Sequence, residues 1–103
     1  MFMNIDNIVN GNSIVIFIKG EANDPKCLYS VKVINIFNEL NVPYKAINIL
    51  RSASMKERLK SYSSWPTIPQ VYVNGTFIGG VDIITEMYYK KELQEILEVV
   101  FNS

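Results

Sequence analysis

The chain holds one cysteine, Cys27, and no histidine. A lone sulfur without an imidazole cannot join a Ser-His or Cys-His pair or most catalytic zinc arrangements. Any chemistry it does must draw on its surroundings. Cys27 stands where the polar loop of residues 20–26 meets an apolar-periodic segment. A thiol in the first turn of a helix faces unpaired backbone N–H groups and the positive end of the helix dipole, which favours thiolate over thiol. Lys26 beside it and Lys19 across the loop can add positive charge. A lone cysteine is more often a small buried hydrophobe. A polar loop-to-helix junction after the first strand of a βαβ unit, where ligands commonly bind, argues instead for a functional thiolate.

Two further stretches carry possible binding chemistry. In Trp65-Pro66-Thr67-Ile68-Pro69-Gln70 the plain reading is a proline stop ahead of a strand. A cis peptide before Pro69 would instead turn the Ile68 N–H and C=O outward, free to pair with an extended peptide as an added strand does. In Gly79-Gly80-Val81-Asp82 the plain reading is a strand end and a helix cap. The two glycines also let backbone approach a ligand closely, and the helix N-terminus offers N–H groups to a carboxylate. Asp82 can accept hydrogen bonds from an ammonium, so together they suit an α-amino acid end.

The elements that must position these residues follow from periodicity. Residues 2–10 place Ile5, Ile8 and Val9 at helical spacing before Asn10-Gly11. Ser13-Ile14-Val15-Ile16-Phe17-Ile18 is a continuous apolar, β-branched run, the pattern of a central strand buried on both faces. Asp24-Pro25 reads as an N-cap followed by a proline in the first helical turn. The helix then opens around Cys27 and runs to about residue 41, with Val33, Ile34, Phe37 and Leu40 on one stripe. Residues 44–49 predict a second strand, parallel to the first. Residues 53–62 predict a helix with Met55, Leu59 and Tyr62 on one face, ended by Trp65-Pro66. Asn74-Gly75 between Gln70-Val71-Tyr72-Val73 and Thr76-Phe77-Ile78-Gly79 predicts an antiparallel hairpin. Asp82 caps a final helical run to about residue 100. Four strands with helices on both faces predict one mixed sheet in the thioredoxin-like α/β arrangement, which alone does not settle function.

Composition bounds the alternatives. A chain of 103 residues, 49% hydrophobic, suits a single domain spanning residues 1–103, with its core at about residues 12–100. One cysteine forms no intramolecular disulfide, which points to a reducing, intracellular home. Ten basic and ten acidic residues cancel, so neither nucleic acid nor a membrane surface is an expected partner. No apolar run approaches the ~18 residues of a membrane helix, and no basic segment precedes the first apolar residues. The expected compartment is the cytoplasm, or an organelle if a targeting peptide has been removed.

Lys19-Gly20, the Cys-x-x-Ser of residues 27–30, Trp65-Pro66-Thr67-Ile68-Pro69-Gln70, and Asn74-Gly75 leading into Gly79-Gly80-x-Asp82 together resemble the monothiol glutaredoxins of the Cys-Gly-Phe-Ser class. The resemblance covers residues 5–100, and the long loop between Lys19 and Cys27 matches the monothiol rather than the dithiol class. It implies a glutathione site. Lys19 would meet the glycyl carboxylate, with Lys56 where the family has arginine or lysine. Tyr29 would fill the aromatic position beside the peptide. Thr67, Ile68 and a cis-Pro69 would hold the cysteinyl backbone, and Gly80, Val81 and Asp82 the γ-glutamyl end. Arg58 and Lys60 could substitute for Lys56, though a solvated helix face is the plainer account.

The resemblance further implies a [2Fe–2S] cluster bridging a homodimer, with Cys27 from each protomer and two glutathiones as ligands. The chain would be a monomer without cluster, and its partners would be apo iron–sulfur proteins or cluster-assembly proteins. Leu28 departs from the family's glycine and puts a branched side chain beside the sulfur. Tyr29 for phenylalanine and an altered Val81 are milder changes. Leu28 favours a runner-up function, glutathione-dependent thiol–disulfide exchange by a monothiol route, in which Ser30 cannot act as a resolving thiol. A third reading, a non-catalytic interaction module with an idle cysteine, sits poorly with Lys19, the paired glycines and Asp82.

Overall fold

The computed structural model describes residues 4–102. Its first helix, α1 (Ile5–Asn10), opens where the Asn4 side chain accepts the Asn7 N–H and ends where the Gly11 N–H bonds back to Asn7 and Ile8. Residues 2 and 3 of the predicted helix lie outside the described residues. Strand β1 (Ile14–Ile18) is buried at all five positions, as its unbroken apolar run requires. Ile14, Ile16 and Ile18 enter one core layer, while Val15 and Phe17 enter the other.

The loop after β1 differs from expectation. Asp24–Pro25 forms a short strand, β3, paired antiparallel with Gly20–Glu21, β2. The Asp24 carboxylate reaches Lys26 at 2.7 Å and does not cap a helix. Gly20 makes the turn possible, since its φ is +95° and a Cβ there would lie 2.6 Å from the Lys26 nitrogen. Helix α2 (Leu28–Leu40) nonetheless opens at Cys27 as expected, with Cys27 itself at the N-cap. It ends at Asn41, whose φ of 56° is left-handed, a conformation asparagine tolerates.

Strand β4 (Lys45–Asn48) pairs parallel with β1 and stops short of the predicted end. The Asn48 side chain accepts the Leu50 N–H at 2.9 Å and the Gly20 N–H at 3.0 Å, turning the chain into a 3-10 turn at Ile49–Arg51. Helix α3 (Met55–Ser63) buries Met55 and Leu59. Tyr62 remains partly exposed but gives its phenol proton to Asp6 at 3.0 Å.

Strands β5 (Gln70–Val73) and β6 (Thr76–Gly79) form the predicted hairpin, with Asn74 and Gly75 both at positive φ. The final helical run is two helices, α4 (Val81–Tyr89) and α5 (Glu92–Asn102). They part at Lys91, at φ 66°, with no proline or glycine to announce the break. Gly80 is the N-cap of α4, and Asp82 sits in its first turn without a cap hydrogen bond, correcting the expected Asp82 cap.

The sheet order is β4-β1-β5-β6, a four-stranded mixed sheet of the thioredoxin-like type with helices on both faces. One layer joins β1 and β5 to α2, α4 and α5 through Phe37, Val71, Ile84 and Leu97. The other seats α1 and α3 through Val9, Met55, Leu59 and Tyr72. Each such side chain contributes roughly 1.5–3 kcal/mol by leaving water, which fixes the strand ends from which the site is built. Among the described residues no helix is long and apolar enough to cross a membrane.

Candidate functional site around Cys27

Cys27 is half-buried, at the N-terminus of α2. It opens onto a cavity of about 430 Å³ lined by Lys19, Cys27, Tyr29, Lys56, Pro66, Thr67, Ile68, Val81 and Asp82. Five separate pieces of chain meet there: the end of β1, the start of α2, the start of α3 with Lys56, the 66–68 segment, and the start of α4.

Burial acts to raise the Cys27 pKa, yet the thiol is held below its ordinary range because several groups oppose that effect. The backbone N–H groups of Ser30 and Tyr29 favour the anion, as do the Lys19 ammonium and the Ser30 hydroxyl. None closes to a cap hydrogen bond with the sulfur. The reason is the one read from sequence: a helix start presents unpaired N–H dipoles to whatever stands at its cap. Lys26 adds less than expected, since its ammonium is held by Asp24.

Ser30 is fully buried and accepts the Lys19 backbone N–H at 3.2 Å. Lys26 N–H bonds to the Lys19 carbonyl at 2.8 Å. The long loop is therefore a folded-back ladder that keeps Lys19 next to Cys27. The opposite wall comes from the segment before β5. Its Ile68–Pro69 peptide is cis, and the Ile68 side chain is buried in the core. Among the described residues no backbone–backbone turn or loop hydrogen bond uses the Ile68 N–H or C=O.

Pro69 and Gly80 stand behind the walls rather than on them. A Cβ on Gly80 would come within 3.1 Å of Trp65 Nε1 and 3.3 Å of the Pro69 carbonyl. A Cβ on Gly79 would press on Ile83 at 2.7 Å. The glycines therefore also permit a close approach of protein to itself. Gly80 lets the start of α4 pack against the Trp65–Pro69 segment, and Gly79 lets the end of β6 pack against Ile83. Leu28 is 70% exposed and lines none of the cavity, so it does not crowd the cleft itself. Lys60 points to Glu57, and Arg58 lines a separate depression with Asn4 and Tyr62.

Sequence reading passed over Pro66 as a wall residue and over three side chains that brace the cleft: Ser30, Asn48 and Gln70. Gln70 left a signal, a polar amide opening an otherwise apolar strand. Chemically, the walls offer one thiol whose anion is favoured, two ammonium groups, a carboxylate and the backbone of the 66–68 segment. That set suits a short peptide bearing carboxylates, an α-amino group and its own sulfur.

The glutaredoxin family pattern matches residues 14–78. A monothiol glutaredoxin of the ycf64-like kind from Synechocystis, itself uncharacterised, is 46% identical over 99 residues, covering 96% of this chain and 92% of that one. Bacterial and chloroplastic proteins both stand among the relatives at 42% identity. The solution structure of reduced apo GrxS14 of poplar superposes with a TM-score of 0.83 at 42% identity, covering 96% of this chain and 91% of that one. A buckwheat glutaredoxin solved with glutathione superposes at 0.81 with 26% identity, covering 92% and 84%.

Proposed function

The chain belongs to the glutaredoxin family, in its monothiol branch, and from that premise we propose that it binds glutathione in the cleft beside Cys27 and shares a [2Fe–2S] cluster between two protomers. The observation that carries this reading is the cleft itself, which gathers Lys19, Cys27, Tyr29, Lys56, Thr67, Ile68, Val81 and Asp82 around one cavity. Lys19 and Lys56 receive the glycyl carboxylate of the tripeptide. Ile68 pairs with its cysteinyl backbone ahead of Pro69. The α4 N-terminus, with Gly80, Val81 and Asp82, takes the γ-glutamyl end. Tyr29 covers the peptide, and the glutathione sulfur comes to rest near Sγ of Cys27. The glutathione-bound buckwheat relative of the same fold supports the assignment.

The donor set fits a cluster on one condition. Such a cluster wants four thiolates, and each protomer supplies Cys27 alone. Among the described residues no group of three or more His, Cys, Asp or Glu side chains could hold a metal ion, so the remaining ligands must be external. Two protomers and two glutathiones complete the set. The half-exposed, anion-favouring Cys27 suits sharing. When bound, the cluster supplies transferable iron and sulfide, and the recipients are apo iron–sulfur or assembly proteins. Without it the chain is a monomer.

A second reading has its own observation: Ser30 occupies the place of a resolving thiol and is buried, with its hydroxyl engaged. In thiol–disulfide exchange the Cys27 thiolate attacks the glutathione sulfur of a mixed disulfide, forming Cys27–S–SG and releasing the client thiolate. A second glutathione thiolate then attacks, giving oxidised glutathione and restoring the Cys27 thiolate. Anaerobic reconstitution with iron, sulfide and glutathione separates the two. A brown dimer holding two glutathiones per cluster supports the first reading. A colourless monomer that turns over a glutathionylated thiol supports the second.

A further inference from the structure

Gln70 opens strand β5 opposite Phe17 of β1 and is fully buried. A buried amide is costly unless each polar atom is paired, and here all are. Nε2 lies 2.9 Å from Ser63 Oγ, 3.2 Å from the Trp65 carbonyl and 3.3 Å from the Thr67 carbonyl. Oε1 accepts the Tyr72 hydroxyl at 3.1 Å. Two backbone carbonyls on one side leave no freedom in the amide's orientation, because only its NH₂ can face them.

Those carbonyls belong to the segment between α3 and β5, whose Pro66, Thr67 and Ile68 form a whole wall of the cleft. That segment has no helix or strand of its own, and its two prolines donate nothing. Its other support is Ser63 Oγ, which accepts the Trp65 N–H at 3.1 Å and donates to the Leu59 carbonyl at 2.9 Å. The end of α3, the cleft wall and the central sheet therefore meet at one amide.

We propose that Gln70 is a positioning residue for ligand binding: its buried amide clamps the Trp65 and Thr67 carbonyls and thereby sets the distance from the Thr67–Ile68 wall to Cys27. The proposal rests on the reading of this cleft as the glutathione site. Gln70→Glu keeps the shape but turns an oxygen toward the two carbonyls. Losing two such contacts weakens glutathione binding about tenfold or more. The thiolate titration of Cys27 stays where it was, because Ser30, Tyr29 and Lys19 are untouched.

The test is calorimetric titration of the reduced protein with glutathione, well below every variant's unfolding midpoint. Tyr72→Phe is the control for mere instability: it removes the phenol's contacts to Gln70 Oε1 and the Ser63 side chain but leaves both carbonyls clamped by Nε2. It should lower the unfolding midpoint yet hold affinity within about twofold. Ser63→Ala, a milder loosening of the same clamp, should cost about threefold and serves if Gln70→Glu does not fold. Parent-like affinity in Gln70→Glu, or in Ser63→Ala where it is the variant that folds, overturns the proposal. So does an equal affinity loss in Tyr72→Phe. If the unaltered protein takes up no glutathione, it is the glutathione reading that falls.

Discussion

The backbone N–H of Lys19, just past β1, donates to the hydroxyl of Ser30 in the first turn of α2 at 3.2 Å. This one bond ties together the two pieces of chain that flank Cys27. Ser30→Ala leaves the Lys19 N–H without its partner, a loss of about 1 kcal/mol or somewhat more. It also removes one of the groups that favour the Cys27 anion. The expected result is a lower urea midpoint together with an upward shift of the thiol titration, followed by thiolate ultraviolet absorbance. Should neither move, the bond contributes nothing to the site.

The lowered Cys27 pKa has a definite pH signature. Alkylation by iodoacetamide should rise with pH through a midpoint below that of an unstructured peptide carrying the same Cys-Leu-Tyr-Ser segment. Lys19→Gln should move that midpoint up, since Lys19 is the charge that favours the anion. The stability effect runs the same way. A folded pKa below the unfolded one stabilises the fold above the unfolded thiol's pKa, and that contribution is lost as pH falls through the folded value. Parent and Cys27→Ser should therefore differ most in urea stability at alkaline pH. A midpoint equal to the peptide's would mean that the helix start does not act on the sulfur.

Much of this site was legible because its residues sit at element boundaries, where residue type reports backbone need. Asn74-Gly75 announced its hairpin and the Ile14–Ile18 run its doubly buried strand, while the cis bond before Pro69 is one of two readings its sequence leaves open and the one the family resemblance implies. The onset of apolar periodicity rightly places Cys27 at a helix start, although the Asp24-Pro25 cap read beside it is a strand. What escaped was decided by tertiary contact. Asp24-Pro25 looks like a cap and proline pair, yet Gly20-Glu21 captured it into a two-residue ladder. The α4–α5 break has no local breaker, only a left-handed Lys91. Ser30 braces the cleft through Lys19 on another element, and Gln70 binds carbonyls of the irregular segment just before it, whose path back over the strand no periodic pattern encodes.

Leu28 is the sharpest departure from the family motif, and its side chain points to solvent. Leu28→Gly should therefore leave glutathione affinity unchanged, at a helix cost of about 1 kcal/mol or less. If a second protomer approaches over the mouth of the cleft, the same change relieves crowding there and lengthens the lifetime of a reconstituted cluster. Visible absorbance followed over time in the two proteins checks this. A weaker glutathione titration in the glycine variant would show that Leu28 belongs to the pocket after all.

Tyr72 offers a pH test of the core. Burial is the main reason its phenol is pushed up to about 12, with the Ser63 side chain opposing and Tyr62 adding slightly. Between the ordinary tyrosine value near 10 and that folded value, the unfolded chain ionises while the native one stays protonated. The unfolded state then binds fewer protons, so stability falls as pH rises through this window. Urea midpoints measured across it should decline in the parent and decline less in Tyr72→Phe. Parallel curves would mean that another group governs alkaline stability.

Gly80 tests how tightly α4 and the Trp65–Pro69 segment must close to shape the cleft. Its φ of −99° suits alanine, so backbone conformation is not the obstacle. A Cβ would instead stand 3.1 Å from Trp65 Nε1 and 3.3 Å from the Pro69 carbonyl, closer than comfortable contact. One neighbour is backbone and the other a ring packed on Phe77 with centroids 5.5 Å apart, so neither yields freely. Gly80→Ala should cost about 1–3 kcal/mol, the usual range for overpacking. It should also shift the emission of Trp65, the chain's one tryptophan. Because Thr67 and Ile68 lie on one side of that seam and Val81 and Asp82 on the other, glutathione binding should weaken in step with the emission shift. Unchanged emission with full stability would mean that the seam accommodates a methyl group, and the glycine would then have to be explained by something other than packing.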